Sequence, residues 1–210
     1  FNVCWYGVYY GCTTFRPMLQ ASTESRIINT SSVNGFWAVI GPHMPHAAYC
    51  AAKFAVKGFT EALITDLRIN APNVSCSVVM PGHIGTPIVE NSRKLVREKN
   101  AEDPTDTEVQ LARELYLRRG LPLDNVPDEH IRQMMQQESD DFRDTALTSA
   151  EDAAYIILKG VKEKRWRILV GEDAEFLDQS VRADPESAYE LEFYERVANR
   201  EVALNFNNGN

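Results

Sequence analysis

The sequence predicts an α/β fold that is built around a parallel sheet. Two apolar runs, Arg26 to Thr30 and Val74 to Met80, have the bounded, β-branched composition of buried strands, and Tyr49 to Asn70 between them has helical spacing. A strand, a helix and a second strand in this order form a right-handed parallel crossover, the unit of an α/β sheet. We expect the first strand to be buried on both faces.

The first segment, Phe1 to Leu19, is apolar and aromatic nearly all round. It predicts a helix that is buried on more than one face and that Pro17 stops. Gly7 and Gly11 lie four residues apart, so we expect another backbone to pack closely against this helix. The nearly uncharged run is shorter than the roughly 18 apolar residues of a membrane span, so neither a transmembrane helix nor a signal peptide is predicted.

Between the two strands the chain contains a loop and then the long helix. Residues 33 to 48 hold two glycines, two prolines and two histidines, a composition typical of a loop. The helix that follows should end near Asn70 and bury one apolar stripe. The predicted stripe consists of Ala55, Phe59, Ala62, Leu63 and Leu67.

After Thr86 the sequence becomes highly charged. Turn signals occur at Asp103-Pro104 and at residues 120–122, and the apolar residues between and beyond them recur at helical intervals. We expect an inserted helical flap of two or three segments over about residues 89 to 145. The apolar positions that predict it are Leu111, Leu115, Ile131, Met134 and Met135.

The C-terminal part predicts a helix, a strand and a last helix. Ser149 and Asp152 form a capping-box pattern that opens a helix through Val161. A third strand follows over residues 165–170, which Gly171 closes.

We expect Asp184-Pro185 to cap an amphipathic helix that carries Tyr189, Leu191, Phe193 and Val197, and residues 205–210 to fray. No internal repeat or linker divides the chain, so residues 1–210 are predicted to form a single domain.

Charge and cysteine content narrow the class of protein. A net charge of -8 and a pI near 5.1 argue against nucleic acid or an anionic membrane surface as a partner. The cysteines lack ligand spacing, so we expect buried free thiols rather than disulfides, a reducing, cytoplasmic location and no metal site. They are Cys4, Cys12, Cys50 and Cys76.

Three side chains suggest a site for proton chemistry. Tyr49 and Lys53 are spaced i, i+4, so they share one face of the helix. A phenol has a pKa of about 10, and we expect the ammonium one turn away to lower it. An isolated pair of this kind is usually an ordinary tyrosine and a surface lysine. Here Ser32 ends the preceding strand, where ligands of open α/β sheets bind, and its hydroxyl could donate to a carbonyl oxygen while Tyr49 transfers the proton.

Three motifs in this order resemble the short-chain dehydrogenase/reductase family. They are Ile27-Ile-Asn-Thr-Ser-Ser32, Ala47-Ala-Tyr49-Cys-Ala-Ala-Lys53 and Pro81-Gly82-His-Ile-Gly-Thr86. Asn2 resembles the helix asparagine of the family's tetrad, and Trp166 to Val170 resembles its last strand. The resemblance implies the C-terminal half of a Rossmann-type doubly wound parallel sheet with an inserted helical substrate flap.

The resemblance also implies the roles of individual residues. Tyr49 would be the acid/base, Lys53 would lower its pKa and hold the nicotinamide ribose, and Ser32 would orient the carbonyl. Asn2 would support Lys53 through water. The residues implied to contact the cofactor are Tyr49, Lys53, Pro81, Gly82, Ile84 and Thr86.

The implied protein is an enzyme that interconverts an alcohol and a ketone or aldehyde with NAD or NADP. The flap would cover a small-molecule substrate, and its apolar stripe suggests a bulky lipophilic one. The first helix and the Tyr49 helix would form a homodimer or homotetramer. Two rival interpretations are a non-catalytic protein of this fold that acts only through association, and an inactive remnant.

Two departures limit the resemblance. Ser32 and Tyr49 are 17 residues apart, a few more than is usual in the family, so the loop is enlarged and Ser31 stays an alternative to Ser32. No turn of the form GxxxGxG or GxGxxG occurs, which implies an N-terminally truncated chain that lacks about the first hundred residues.

Several residues near the site have two interpretations each. His43, His46 and His83 suit no metal motif and are ordinarily polar surface, although His83 is a candidate contact to cofactor or substrate. Phe36 and Trp37 either line the substrate pocket or form an aromatic plug that closes the loop onto the core.

Overall fold

The computed structural model describes residues 1–39, 46–96, 104–123 and 125–208, with residues 96 and 200–208 as backbone only. Its main sheet has three parallel strands in the order β1-β2-β5, which confirms the predicted α/β class. The strands are β1 (Ser25–Thr30), β2 (Val74–Pro81) and β5 (Arg167–Val170).

Helix α2 (Ala47–Asn70) connects β1 to β2 and ends where the sequence predicts. Ile27 lies opposite Cys76 in the parallel ladder of β1 and β2, so the predicted parallel crossover is present. The ladder continues beyond β1, because the Ser31 N–H donates to the Val79 carbonyl at 2.8 Å. The residues that follow β1 therefore lie at the carboxyl edge of the sheet.

Helices cover both faces of the sheet. The first helix, α1 (Gly7–Ala21), and α2 pack on one face, and α6 (Ala150–Lys162) covers the other. The cluster under α1 and α2 consists of Cys12, Ile27, Leu67, Ala71, Val74 and Cys76. The cluster under α6 consists of Val79, Ala153, Ile168 and Val170.

Strand β1 is buried on one face only, which corrects the prediction of two. Ile27 and Asn29 are buried, whereas Ile28 between them is 43% exposed. The cause is topological. β1 is an edge strand of the sheet, and α6 packs over β2 and β5 on that side.

The first segment also differs from its prediction. A π-helix at Asn2–Tyr6 leads into α1, and α1 continues through Pro17 to Ala21. Cys12 is the buried residue of α1, and a Cβ built on Gly11 meets no atom within 4 Å. Pro17 has no backbone N–H, so α1 lacks one hydrogen bond at this position. One side of α1 packs on β1 and α2, and this packing offsets the loss. The other side is exposed.

The buried stripe of α2 is rotated from the predicted one. Ala62 is exposed, and Ala55, Phe59 and Leu63 are half-buried. Of the predicted stripe, Leu67 alone is buried. The buried residues are Cys50, Ala52, Val56, Thr60 and Leu67. A hydropathy pattern does not identify Thr60, because Thr60 is a polar residue that is buried with a hydrogen bond from Asn29 at 3.0 Å.

In the described residues of the charged insertion there are three helices, within the two or three segments expected. They are α3 (Ile88–Val96), α4 (Asp106–Arg118) and α5 (Asp128–Asp144). Leu111 is 61% exposed, so the buried face of α4 is not the predicted one. The flap has a core of its own, made of Val109, Tyr116, Leu123, Ile131 and Met135.

The C-terminal part holds one helix that the sequence did not predict. Ser149 caps α6 by accepting from the Asp152 N–H at 3.0 Å. Gly171 closes β5 with φ of 105°, a left-handed conformation that glycine adopts without strain. The unpredicted helix is α7 (Glu172–Ala183). Five of its residues are acidic or basic, so its short apolar face gives no clear hydropathy pattern in the sequence.

The last helix, α8 (Leu191–Asn208), begins after Asp184-Pro185, so this pair does not cap it. Asp184 instead accepts from the Ser187 N–H at 3.3 Å. The helix also extends through residues 205–208, which were expected to fray.

A two-stranded parallel ladder joins β3 (Ile84–Gly85) to β4 (Thr148–Ser149). These strands are too short to produce a sequence pattern. They place the chain after β2 beside the start of α6. Within the described part of the chain, no helix combines the length and apolarity that crossing a membrane requires.

Candidate active site

The predicted catalytic side chains meet at the carboxyl edge of the sheet. Ser32 follows β1, and Tyr49 and Lys53 occupy the first two turns of α2. The Ser32 hydroxyl is a hydrogen-bond partner of the Tyr49 phenol. The structure therefore brings together the three residues that spacing alone could only suggest.

The loop after Ser32 is held by its own side chains. Ser32 Oγ accepts from the Asn34 N–H at 3.2 Å and caps a short 3-10 turn, Val33–Gly35. The Asn34 side-chain amide donates to the carbonyls of Trp37 and Val39 at 3.1 and 2.8 Å. These bonds fix the direction of the Ser32 hydroxyl within the buried end of the loop.

Ser31, the alternative to Ser32, is directed elsewhere. It is 2% exposed, and its hydroxyl donates to the Lys53 carbonyl at 2.7 Å. A Cβ on Gly35 would lie 2.2 Å from Ser31 Oγ, so this hydroxyl is enclosed. The geometry favours Ser32 as the hydroxyl beside Tyr49 and gives Ser31 a role in joining the loop to α2.

Lys53 points back toward the end of β1. Its ammonium donates to the Thr30 carbonyl at 3.0 Å and lies 5.7 Å from the centroid of the Tyr49 ring. Burial lowers the pKa of Lys53. Because an ammonium carries three N–H bonds, the bond to Thr30 uses one of its donors.

The pKa of Tyr49 moves in the direction opposite to the prediction. Burial raises it, and the hydrogen bond with Ser32 offsets the rise only in part. The expected net lowering of this pKa is therefore not found in the chain as the structure describes it. Lys53 lies over the ring and bonds to Thr30, so desolvation of the phenolate dominates.

Asn2 and Cys4 lie on the π-helix that precedes α1. Asn2 is exposed, whereas Cys4 is half-buried and lies near both Tyr49 and Lys53. The π-helix thus turns Cys4, rather than Asn2, toward the site. Cys4 could not be predicted as a site residue, because no local sequence pattern indicates a π-helix.

The predicted cofactor-facing loop, Pro81 to Thr86, is half-buried. The Gly82 N–H donates to the Val170 carbonyl at 3.0 Å, and the Thr86 hydroxyl lies 3.5 Å from the Ile84 carbonyl. The His83 N–H donates to Asp173 Oδ2 at 2.6 Å. Asp173 was not predicted, since 90 residues separate it from His83.

The aromatic pair is a plug. Trp37 is 5% exposed, packs with Leu177, Phe193 and neighbours, and donates from Nε1 to the Ala188 carbonyl at 2.6 Å. Phe36 packs at the edge of the same cluster. This arrangement favours the second interpretation of the pair, closure of the loop onto α7 and α8.

The remaining candidates have separate outcomes. His43 lies outside the described residues, and His46 is exposed at the start of α2.

All four cysteines are free thiols, of which Cys4 is half-buried and the others are buried. Burial raises the pKa of Cys12, Cys50 and Cys76, the last to about 11, so these three thiols stay protonated at neutral pH. Over the described ranges, no group of three metal-ligating side chains forms.

Comparisons of this chain with family models and with known proteins agree on one family. The family model for short chain dehydrogenase matches residues 1–96. SadH of Mycobacterium tuberculosis, which is named as an oxidoreductase, is 32% identical over 181 residues, or 86% of this chain. The chain spans about half the length of this curated relative, 52%.

Solved structures agree on the fold. A short-chain dehydrogenase/reductase from Burkholderia phymatum in complex with NAD has a TM-score of 0.57 and 27% identity, over 86% of this chain and 55% of that one. A short-chain dehydrogenase from Burkholderia cenocepacia in complex with NADP has a TM-score of 0.54 at 17% identity, over 88% of this chain and 54% of that one. The second likeness concerns the fold alone.

Proposed function

Because this chain belongs to the short-chain dehydrogenase family, we propose that it carries the proton-transfer centre of an NAD- or NADP-dependent oxidoreductase. The reaction interconverts an alcohol and a ketone or aldehyde. One observation carries the proposal. The Tyr49 phenol and the Ser32 hydroxyl are paired at the carboxyl edge of the sheet, with the Lys53 ammonium one helical turn away.

The donor set fits the nicotinamide half of a dinucleotide. Lys53 has two N–H bonds beyond the one to Thr30, and these suit the hydroxyls of a ribose. The half-buried backbone of Pro81, Gly82 and Ile84 and the Thr86 hydroxyl suit a carboxamide. The structure from Burkholderia phymatum, which is in complex with NAD, supports the choice of cofactor class. The 210 residues contain no glycine-rich phosphate turn, so they suit this half only.

Tyr49 moves the proton at its phenolic oxygen. In the reducing direction it donates to the substrate carbonyl oxygen, and in the oxidising direction it accepts the hydroxyl proton. The cofactor, when bound, supplies or accepts the hydride. Burial raises the pKa of Tyr49, which keeps the phenol protonated and ready to donate at neutral pH.

Ser32 and Lys53 prepare that transfer. The Ser32 hydroxyl donates to the carbonyl oxygen and stabilises its developing charge. Lys53 favours the phenolate once the proton has left, because an ammonium nearby lowers the cost of a negative charge.

The flap of α3, α4 and α5 is proposed to cover the substrate. Its helices are tied into one unit, because α4 and α5 share a core and because Arg93 of α3 and Arg119 pair with the half-buried Glu138 of α5 at 3.1 and 2.9 Å. The Tyr116 hydroxyl donates to the same carboxylate at 3.2 Å. The length of the flap and its apolar stripe suit a bulky lipophilic alcohol or ketone.

Substitution of Tyr49 tests the function in the full-length protein. Tyr49→Phe keeps the ring and removes the proton, so hydride transfer should fall by about 10² to 10⁴. The measurement is the oxidation of NADH and NADPH over a panel of aliphatic and steroid-sized ketones. Dinucleotide affinity should change little, since the ring and Lys53 remain.

Tyr155→Phe is the matched control, because Tyr155 is 66% exposed on α6. It should leave both rate and affinity unchanged. Equal rates for Tyr49→Phe and the unmodified protein on every carbonyl would contradict the proposal and favour a non-catalytic role.

A further inference from the structure

A buried carboxyl holds the loop after β2. Asp173, the second residue of α7, is 8% exposed, and its Oδ2 accepts from the His83 N–H at 2.6 Å. The Ala174 N–H donates to the same carboxyl. Its Oδ1 is buried without a hydrogen-bond partner among the described residues. A buried carboxyl oxygen without a hydrogen bond costs free energy, so its presence in this position calls for a reason other than stability alone.

Two glycines make the space for this carboxyl. A Cβ on Gly82 would lie 2.0 Å from Asp173 Oδ2, and a Cβ on Gly171 would lie 2.3 Å from Oδ1. Gly82 belongs to the loop after β2, and Gly171 follows β5. The carboxyl therefore fills the gap between the ends of two neighbouring strands and touches the backbone of both.

The His83 ring extends from the same loop in the other direction. Its Nε2 lies 2.6 Å from the Phe142 carbonyl near the end of α5, and the two rings lie 4.3 Å apart. A Cβ on Gly85 would lie 2.7 Å from the Arg143 carbonyl. The loop is thus in contact with the last turn of the flap.

We propose that Asp173 and His83 are positioning residues that set the Pro81–Thr86 loop and couple it to the end of α5. Asp173 determines where the loop backbone lies, and His83 transmits that position to the flap. Binding of the dinucleotide at the loop then changes the position of the flap over the substrate, and the position of the flap in turn changes dinucleotide affinity. The coupling to dinucleotide rests on the proposed function, whereas the link between loop and flap does not.

Substitution of Asp173 tests the first step in the full-length protein. Asp173→Ala removes the acceptor of the His83 N–H, so dinucleotide Kd should rise by about 10-fold to 100-fold. Asp173→Asn keeps an oxygen acceptor and should recover most of the affinity. Glu172→Ala, at the exposed neighbouring position of α7, should bind as the unmodified protein does.

Each result has a defined meaning. Unchanged binding by Asp173→Ala overturns the proposal, as does an Asp173→Asn protein that is as weak as Asp173→Ala while both unfold cooperatively. If Asp173→Ala does not fold, Asp173→Asn and the His83 variant below carry the test.

Hydrogen exchange tests the coupling. His83→Ala should speed exchange of the amides in residues 138–144, and dinucleotide should no longer slow them. His130→Ala removes an exposed histidine of α5 itself and should behave as the unmodified protein. Equal exchange in His83→Ala and His130→Ala overturns the proposal.

The two proposals fail separately. If the unmodified full-length protein binds neither NADH nor NADPH, the proposed function fails. Exchange without dinucleotide then still decides whether His83 and Asp173 link the loop to the flap.

Discussion

At the scale of single residues, burial moves the two titrating groups of the site in opposite directions. It raises the pKa of the Tyr49 phenol and lowers that of the Lys53 ammonium. Both shifts favour the neutral form of the group. Under the proposed mechanism, the proton stays on Tyr49 until the Lys53 ammonium stabilises the phenolate.

Adjacent serines allow a sharp prediction at this scale. Ser32→Ala should lower hydride transfer by about 10² or more, because its hydroxyl pairs with Tyr49. Ser31→Ala should leave the rate nearly intact and lower the free energy of unfolding by about 1 kcal/mol, because it loses the bond to the Lys53 carbonyl. Steady-state kinetics and urea unfolding separate the two effects. The assignment fails if Ser31→Ala is the slower enzyme.

At the scale of elements, a buried ion pair joins β5 to α7. Asp178 is 6% exposed and accepts from Arg167 on β5, and it also accepts from Arg182 on its own helix at 3.0 Å. A buried charge that loses its partner is strongly unfavourable. This pair orients the helix that carries Asp173.

Asp178→Ala should therefore lower the free energy of unfolding by about 3 kcal/mol, because Arg167 is left unpaired in the interior. Urea unfolding measures the change. Glu175→Ala, at an exposed position of α7, is the control and should change stability by less than about 0.5 kcal/mol. A loss equal to that of the control would contradict the assignment.

The same carboxyl predicts a pH dependence. Burial raises the pKa of Asp178, but the hydrogen bonds from Arg167 and Arg182 outweigh it, and the net pKa is lowered. The unfolded chain then binds the proton first as pH falls. The contribution of Asp178 is thus complete above its unfolded pKa of about 3.9 and is lost as pH falls toward the folded value. The stability gap between the unmodified protein and Asp178→Ala should narrow over that range.

At the scale of the whole molecule, one aromatic surface is exposed. Tyr6 and Tyr10 stack at 5.7 Å on the outer side of the first helices, where Phe15 and Met18 are 56% and 70% exposed. Exposed apolar surface of this extent is typical of an interaction site. The homodimer or homotetramer predicted from the sequence stays a prediction, with the first helix and the Tyr49 helix as its expected interface, and this surface lies on the first of these helices.

Phe15→Glu should lower the oligomer mass measured by light scattering, because it places a charge at an exposed apolar position of the first helix. Leu111→Glu is the control, since Leu111 is 61% exposed on the flap. It should leave the mass unchanged. A mass that Phe15→Glu does not alter would place the interface elsewhere.

The sequence by itself determined the β1-α2-β2 crossover and the closeness of Tyr49 and Lys53. Hydropathy alternates with the period of each element, and an i, i+4 pair shares a helix face wherever the helix lies. The sequence does not predict β3, β4 or α7. The two strands are too short, and the helix is too charged, to show a hydropathy period.

Only the tertiary structure decided the rest. It directs Ser32 to Tyr49 and Ser31 to the Lys53 carbonyl, turns Cys4 inward on a π-helix, and places Asp173 against His83. It also reverses the expected shift of the Tyr49 pKa. These features depend on burial and on contacts between residues that are distant in sequence, and neither leaves a local pattern to detect.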